Sequence, residues 1–527
     1  MHPFFFAFFF VFFLYAHNVE KLIFADTFSA LGIITSAAVI LWALFLLAYR
    51  DKHKAAALCS LFLILFFSYG HVFELRGADY WTRHRYLLSA YASLFLTGAV
   101  ALWRMKRETI AFTKIFNIIG GVLLLSSLAP VIFYQVTRSP LRSDNNFSGN
   151  SSTVKAAADD PDIYYIMLDA YASNASLKEF YNYDNSPFTD YLKGKGFYVV
   201  ATPRSNHSGT ALSLSVLLHM KHLEELSPTG IVSKETIKPR ELVQNNPVVR
   251  FLKARGYTYI HAGSIWEGTY KNIYADRNIN RGYFSDFFTT LYKTTALYPY
   301  TFNFNIFDLD HVEWERVRYQ FSELKKLPGS EEKPLFVFAH FGIPRNPFVF
   351  NADGSFHRQH TQEEQKADNA KDPQRVAAKL KSFYHVERYI NQVMYANREV
   401  SNLVDAILTR SKRDPVIIIQ SDHGSRIALK KREPPPLEVS DLYVNDRMRN
   451  FSAFYLPRDG NKLPYDTITQ VNTFRLVFNH YFGTAYPFLP DTAFVALPKK
   501  DDKIGVNDEN DHEEGYNLLD VTDRIRY

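Results

Sequence analysis

Apolar positions change character once along this chain. Up to residue 134 they form long, almost unbroken runs, at 3–16, 28–49, 55–73, 86–103 and 115–134. A helix needs about 17–25 mainly apolar residues to cross the hydrocarbon of a bilayer, and the last four runs meet that length. The first is shorter and very rich in Phe. It has no Lys or Arg ahead of it and no small-residue cleavage site after Tyr15, so it reads as a fifth spanning helix and not as a signal peptide.

Beyond residue 161 the apolar runs are short, and each ends close to a polar side chain. They are 162–169 (DIYYIMLD), 257–261 (YTYIH), 335–340 (LFVFAH) and 415–424 (PVIIIQSDHG). Continuous runs of this length predict strands buried on both faces, as in a mostly parallel α/β sheet flanked by helices. Ligands bind such sheets outside the carboxyl ends of the strands, which makes Asp169, His340, Asp422 and His423 the candidate site. Any one of them alone would be an ordinary turn former. Their recurrence at strand ends, with Asp422 and His423 adjacent before Gly424, favours a site for one divalent metal. Carboxylate and imidazole both suit Zn²⁺ or Mn²⁺.

Between the first two of these strands, a strand-like run ends near Ala201 and a polar turn follows. Apolar residues at Leu214, Leu217 and Leu218 then predict a buried helix opening at Thr210. Unpaired N–H groups and the helix dipole stabilise a phosphate or sulfate at such an end. Thr210 is the candidate nucleophile, with Ser208 and Ser213 as alternatives. A Ser or Thr here can equally serve only as a helix cap.

Charge orients the chain, because Lys and Arg gather on the cytoplasmic side. Arg50, Lys52 and Lys54 follow the second long run, and Arg104, Lys106, Arg107 and Lys114 follow the fourth. With the N-terminus inside, five crossings place everything after residue 134 outside, although Arg76, Arg83 and Arg85 then fall in an outer loop. Residues 1–136 form the membrane region of an integral, multi-pass plasma-membrane protein. Residues 137–160 are a polar linker, 161–498 one α/β domain facing the periplasm or cell exterior, and 499–527 a polar tail expected to be loosely ordered. The single cysteine, Cys59, lies in a membrane run, so the outer domain folds without disulfides. A net charge of +6 with no basic cluster excludes a nucleic-acid groove. The near absence of charge in the membrane runs disfavours a transporter.

With Asp169, Thr210, Asp422, His423 and Gly424 in this order, the region after residue 161 resembles the alkaline phosphatase and sulfatase superfamily. The architecture is similar to that of lipoteichoic acid synthases and lipid A phosphoethanolamine transferases, which have five membrane helices before an extracytoplasmic catalytic domain. Local wording is similar to a group of bacterial membrane sulfatase-like proteins: DAYA, DNSPF at Asp184 to Phe188, QSDHG, and VNTFR at Val471 to Arg475. The resemblance implies an alkaline-phosphatase-like fold and one metal held by Asp169, Thr210, Asp422 and His423. Thr210 would attack phosphorus through a phospho-threonine intermediate, and His340 would touch the phosphate or protonate the leaving oxygen. Arg345, Arg426 and Arg475 would add positive charge for a phospholipid or envelope glycan substrate.

Several positions depart from the family pattern. No C/S-x-P-x-R motif surrounds Thr210, which disfavours sulfuric ester hydrolysis. The transferases usually carry disulfides in the outer domain, and in their Gly-Thr-x-Thr string the attacking second Thr matches Leu212 here. Arg345 stands where relatives commonly have a second His, and a guanidinium is neither a metal ligand nor a general base. The rival readings are a sulfuric ester hydrolase and a non-catalytic sulfatase-fold binding or sensor protein.

Overall fold

The short buried runs pair side by side in one sheet. The computed structural model describes residues 1–18, 24–74, 84–105, 109–137, 160–230, 232, 237–282, 286–298, 308–358, 386–425, 427, 439–497 and 517–527. The seven strands are β1 (Asp162–Asp169), β2 (Tyr198–Val199), β3 (Thr258–Ala262), β4 (Arg277–Ile279), β5 (Leu335–Pro344), β6 (Pro415–Ser421) and β7 (Ser452–Tyr455). Their order is β2-β7-β6-β1-β5-β3-β4. The pairings from β6 through β1, β5 and β3 to β4 are parallel, and β7 runs antiparallel to both β6 and β2.

Every residue of β1 is buried, and period-two alternation divides its side chains between two cores. Tyr164, Ile166 and Leu168 join Val337, Ala339, Ile417 and Ile419 beneath the helices Leu309–Leu324 and Val386–Arg410. Ile163, Tyr165 and Met167 join Phe336, Phe338, Val416 and Ile418 on the other face, beneath the helices Thr210–His219, Pro247–Ala254 and Gln470–Phe482. A large apolar side chain fully buried in either layer contributes about 1.5–3 kcal/mol. The sheet is therefore firmly packed on both faces beneath the side chains at its ends.

The chain divides into two compact units, one made of Met1–Asn145 with Tyr283–Asp308 and the other of Asn146–Gly282 with Leu309–Tyr527. Among the described residues of the first unit, four helices are long and apolar enough to cross a membrane: Phe24–Tyr49, Lys52–Glu74, His84–Arg104 and Thr109–Thr137. The helix His2–His17 is apolar but has only 16 residues. At 1.5 Å per residue it spans about 24 Å, against a hydrocarbon core of about 30 Å.

The described residues 286–298 follow β4 in sequence yet belong to the unit of these helices. The helix Asp286–Lys293 buries Phe287 and Leu291 in one cluster with Tyr15, Leu63 and Phe67. Just after it, Thr294 O accepts from Gly70 N at 2.8 Å and Ala296 N donates to Phe66 O at 2.9 Å. Phe66 and Gly70 are spaced as acceptor and donor of one helix rung, so this segment engages both sides of that rung. A Cβ on Gly70 would lie 2.4 Å from Lys293 O, which is why only glycine fits.

The C-terminal stretch departs from the expectation of a loosely ordered tail. Asn517–Asp520 (β9) pairs antiparallel with Phe494–Leu497 (β8), and Val521 is buried. The pairing of β9 with β8 and the buried Val521 anchor this end of the chain. Residues 498–516, and the linker apart from Thr137 and Asp160, lie outside the described residues.

Candidate functional site

The sheet's register assembles the site. β1 lies between β6 and β5, with Leu168 opposite Ser421 and Met167 opposite His340. The next residues of β1 and β6, Asp169 and Asp422, therefore leave the sheet side by side, and His340 flanks them from β5. The pairing of β1 with β5 shifts after Leu168, so that Asp169 faces Pro344. Arg345 N then donates to Asp169 O at 3.1 Å, and Arg345 Nη1 reaches Asp169 Oδ2 at 3.2 Å.

Beyond β6 the chain turns sharply at Gly424. A Cβ there would meet Asp446 O at 2.3 Å and Arg449 O at 2.7 Å, so the close approach of residues 446–449 requires glycine. Gly424 N donates to Arg447 O at 2.7 Å. The turn holds Asp422 and His423 rigidly. Asp422 Oδ1 accepts from Ala170 N and His423 N, each at 2.9 Å. His423 Nδ1 contacts Gly424 O at 2.9 Å; a carbonyl can only accept, so Nδ1 carries the hydrogen and Nε2 presents its lone pair.

Thr210 is the first residue of its helix and Gly209 is the cap, so the Thr210 hydroxyl is not used for capping. Its Oγ1 lies 3.3 Å from His423 Nε2. The alternatives point elsewhere: Ser213 Oγ donates to His207 O at 3.0 Å, and Ser208 Oγ accepts from Ala496 N at 3.3 Å. Among the described residues, Asp169, Asp422 and His423 have potential ligand atoms all within 4.8 Å of one another.

This cluster fits a divalent cation. Asp169 Oδ1 and Asp422 Oδ2 are buried with no hydrogen-bond partner, a costly state for carboxylate oxygens unless a cation satisfies them. Burial acts to raise the Asp169 carboxyl, but the Arg345 guanidinium and His340 more than offset it and hold Asp169 well below the usual carboxylate range. Burial, and then the charge on Asp169, push Asp422 up to about 6. Burial, and then the Arg447 guanidinium, hold His423 neutral, which leaves Nε2 free to bind a metal.

His340 sits one step further out. Its Nε2 lies 3.7 Å from Asp169 Oδ2 and makes no hydrogen bond, while Nδ1 meets Thr269 Oγ1 at 2.7 Å and Ser264 Oγ at 3.2 Å. His261, at the end of the second short run, is a packing residue that contacts Thr269 O at 2.6 Å and Tyr259 OH at 2.9 Å.

The structure thus brings Asp169, Thr210, His340, Arg345, Asp422 and His423 to one rim. Arg475 is not among them. It donates through Nε to Met220 O at 2.8 Å and through Nη1 to Pro487 O at 2.5 Å. Met220 ends the helix that Thr210 begins, so Arg475 neutralises the negative end of that helix about 15 Å from the hydroxyl. Arg426 lies outside the described residues. Three residues at the site carry no sequence signal. Ser264 and Thr269 reach His340 across 76 and 71 positions, and Arg447, whose Nε donates to Ser208 O at 2.5 Å, belongs to no motif.

No curated protein sequence matches this chain significantly. Among solved structures it is similar to the C-terminal periplasmic domain of EcEptC from Escherichia coli, at 15% identity over 71% of this chain and 96% of that one, with a TM-score of 0.42. A zinc complex of the same domain gives 14% identity over 71% and 96%, with a TM-score of 0.42. The integral membrane lipooligosaccharide phosphoethanolamine transferase A from Neisseria meningitidis gives 11% identity over 88% of this chain and 91% of that one, with a TM-score of 0.38. The Sulfatase family model matches residues 161–474, a span that holds the whole sheet and every side chain of the cluster, and the chain belongs to the sulfatase family.

Proposed function

We propose that this protein is a membrane-anchored, metal-dependent phosphotransferase or phosphoester hydrolase acting on an envelope lipid or glycan. The observation that carries this reading is Thr210 Oγ1, 3.3 Å from His423 Nε2 at the first turn of a buried helix, beside the orphaned oxygens of Asp169 and Asp422. Asp169, Asp422 and His423, with the Thr210 hydroxyl, would hold one divalent ion, Zn²⁺ or Mn²⁺. Such an ion lowers the pKa of a hydroxyl and neutralises phosphoryl charge.

The chain's own groups supply the rest. The helix that starts at Thr210 directs unpaired N–H groups at an incoming phosphoryl group. Thr210 Oγ1 forms a bond to phosphorus as the bond to the leaving oxygen breaks, giving a phospho-threonine. Arg345 pairs with phosphoryl oxygens, and His340 Nε2 faces the departing oxygen. Water or an acceptor hydroxyl then takes the phosphoryl group and regenerates Thr210. The membrane-length helices keep this chemistry close to lipid-linked substrates of the plasma membrane, with the catalytic domain on the outer side.

A binding or sensor protein is the second reading, favoured by the Arg345–Asp169 ion pair, which places a cationic side chain on a carboxylate of the cluster. Sulfuric ester hydrolysis is disfavoured, because Thr210 is not a formylglycine precursor.

The test uses the full-length protein in detergent with Zn²⁺ or Mn²⁺ and bis-p-nitrophenyl phosphate, followed by phosphopeptide mapping. Expected are phosphate on Thr210 and a loss of turnover on the order of 10³-fold in Thr210→Ala. Turnover that survives Thr210→Ala, Ser208→Ala and Ser213→Ala together would exclude a covalent step on this helix. No turnover by the metal-loaded wild type would favour the binding protein.

A further inference from the structure

We infer that Tyr389 is a positioning residue for the metal centre. Its phenol locks the turn after β1 in the conformation that presents Asp169 and one oxygen of Asp422 to a single ion. The inference rests on the reading of Asp169, Asp422 and His423 as a metal site, which it deepens by naming what holds the two carboxylates.

The turn that leaves β1 has an uncommon backbone. Ala170 has a φ of 61°. In that left-handed region the Cβ of an L-residue crowds the following carbonyl oxygen, so an alanine stays there only where its surroundings hold it. The hold is visible on both sides of its Cα. On one side, Ala170 N donates to Asp422 Oδ1 at 2.9 Å, and Asp169 O accepts from Arg345 N at 3.1 Å. On the other, Ala170 O accepts from Tyr389 OH at 2.9 Å, and Ala172 N donates to the same OH at 3.1 Å. A carbonyl can only accept and a backbone N–H can only donate, so the direction of both bonds to the phenol is fixed. One hydroxyl thus bridges Ala170 and Ala172 and closes the turn.

The turn selects which oxygen of Asp422 an ion can use. Oδ1 is engaged by Ala170 N and His423 N, and Oδ2 is left buried without a hydrogen-bond partner, as is Asp169 Oδ1. Relaxation of Ala170 to a negative φ would rotate the peptide groups on its two sides against each other. Asp422 Oδ1 would then lose one of its two donors, and the carboxylate would be free to turn. Tyr389 prevents this from a rigid base. It is fully buried on the helix Val386–Arg410, with its ring 5.3 Å from that of Tyr181 and 6.5 Å from that of Phe348.

Calorimetric titration of the metal-stripped, full-length protein in detergent with Zn²⁺ tests this. Tyr389→Phe keeps the buried ring and removes the hydroxyl, and should weaken the ion about 10- to 100-fold, as loss of a group behind a metal ligand does. Adding Ala170→Gly to Tyr389→Phe should restore most of that affinity, because glycine adopts a positive φ without a latch. Tyr257→Phe is the control. It removes a buried phenol that donates to Pro161 O at 2.8 Å, at the other end of β1. It should lower the unfolding midpoint and leave the affinity at the wild-type value. If Tyr389→Phe alone does not fold, the double variant decides: it should fold and bind the ion, and failure in either overturns the inference.

Equal affinity in wild type and Tyr389→Phe would overturn it, as would a loss that Ala170→Gly does not reverse or that Tyr257→Phe shares. These outcomes are read against a wild type that binds Zn²⁺. A wild type that binds no ion removes the metal centre itself, and with it both the proposed function and the role of Tyr389.

Discussion

Arg345 Nη1 stands 3.2 Å from Asp169 Oδ2, on a carboxylate that also belongs to the cluster suited to a metal. One side chain is thus poised between a cation at Asp169 and an anion on the substrate. Removing the guanidinium in Arg345→Gln takes away a positive charge that competes with a divalent ion, so the ion should bind more tightly. The substrate phosphoryl group should lose a charged hydrogen bond of about 1.5–3 kcal/mol, raising KM roughly ten- to a hundred-fold. Metal titration by calorimetry, paired with steady-state kinetics, checks both directions. A binding protein would show the first effect and no turnover to compare.

Gly70 makes a second prediction. The backbone of Lys293 and Thr294 passes within 2.5 Å of where its Cβ would stand, so Gly70→Ala must push the segment 294–296 off the helix Lys52–Glu74. The expected loss is about 1–3 kcal/mol, typical of overpacking at a closed contact. Gly32, in the helix Phe24–Tyr49, has nothing within 4 Å of its Cβ position and is the control. Gly32→Ala should be neutral or slightly stabilising through helix propensity. Thermal unfolding of both variants in the same detergent separates them, and equal midpoints would contradict the close approach.

Acid should destabilise the sheet-bearing unit through two buried histidines that are not among the cluster's ligand atoms. Burial lowers His219 to about 4 and His207 to about 3, against an ordinary value of 6.5. In each case the folded protein resists a proton that the unfolded chain accepts. This stability is complete above pH 6.5 and is lost as pH falls toward 4 for His219 and toward 3 for His207. For His219 alone the loss is on the order of 3 kcal/mol. His219→Gln keeps a donor for Leu242 O and removes the titration. Its unfolding midpoint should therefore fall less between pH 7 and pH 4.5 than that of wild type.

What the sequence made legible follows from local physics. The run 162–169 reads as a strand with the same bounds the structure shows, because its apolar residues are continuous between Asp162 and Asp169. The run 335–340 extends to Pro344, since Phe341 and Ile343 continue the burial past His340. The adjacency of Asp422 and His423 and the helix opening at Thr210 are local patterns too, and they were readable for that reason. The family resemblance implies a substrate contact for Arg475, whereas its partner Met220 O lies 255 positions away in the sequence. The hydroxyls on His340 and the packing of Phe287 and Leu291 among membrane-length helices are likewise long-range contacts, which no periodicity encodes.

The central claim, a divalent metal held by Asp169, Asp422 and His423, is tested most directly by anomalous diffraction. Crystals of the full-length protein grown with Zn²⁺ or Mn²⁺ would be measured on both sides of the metal's absorption edge. The predicted result is one anomalous peak among the carboxylates of Asp169 and Asp422 and the Nε2 of His423, abolished in Asp422→Ala. No peak there in the wild type under saturating metal, with Arg345 still paired to Asp169, would contradict it.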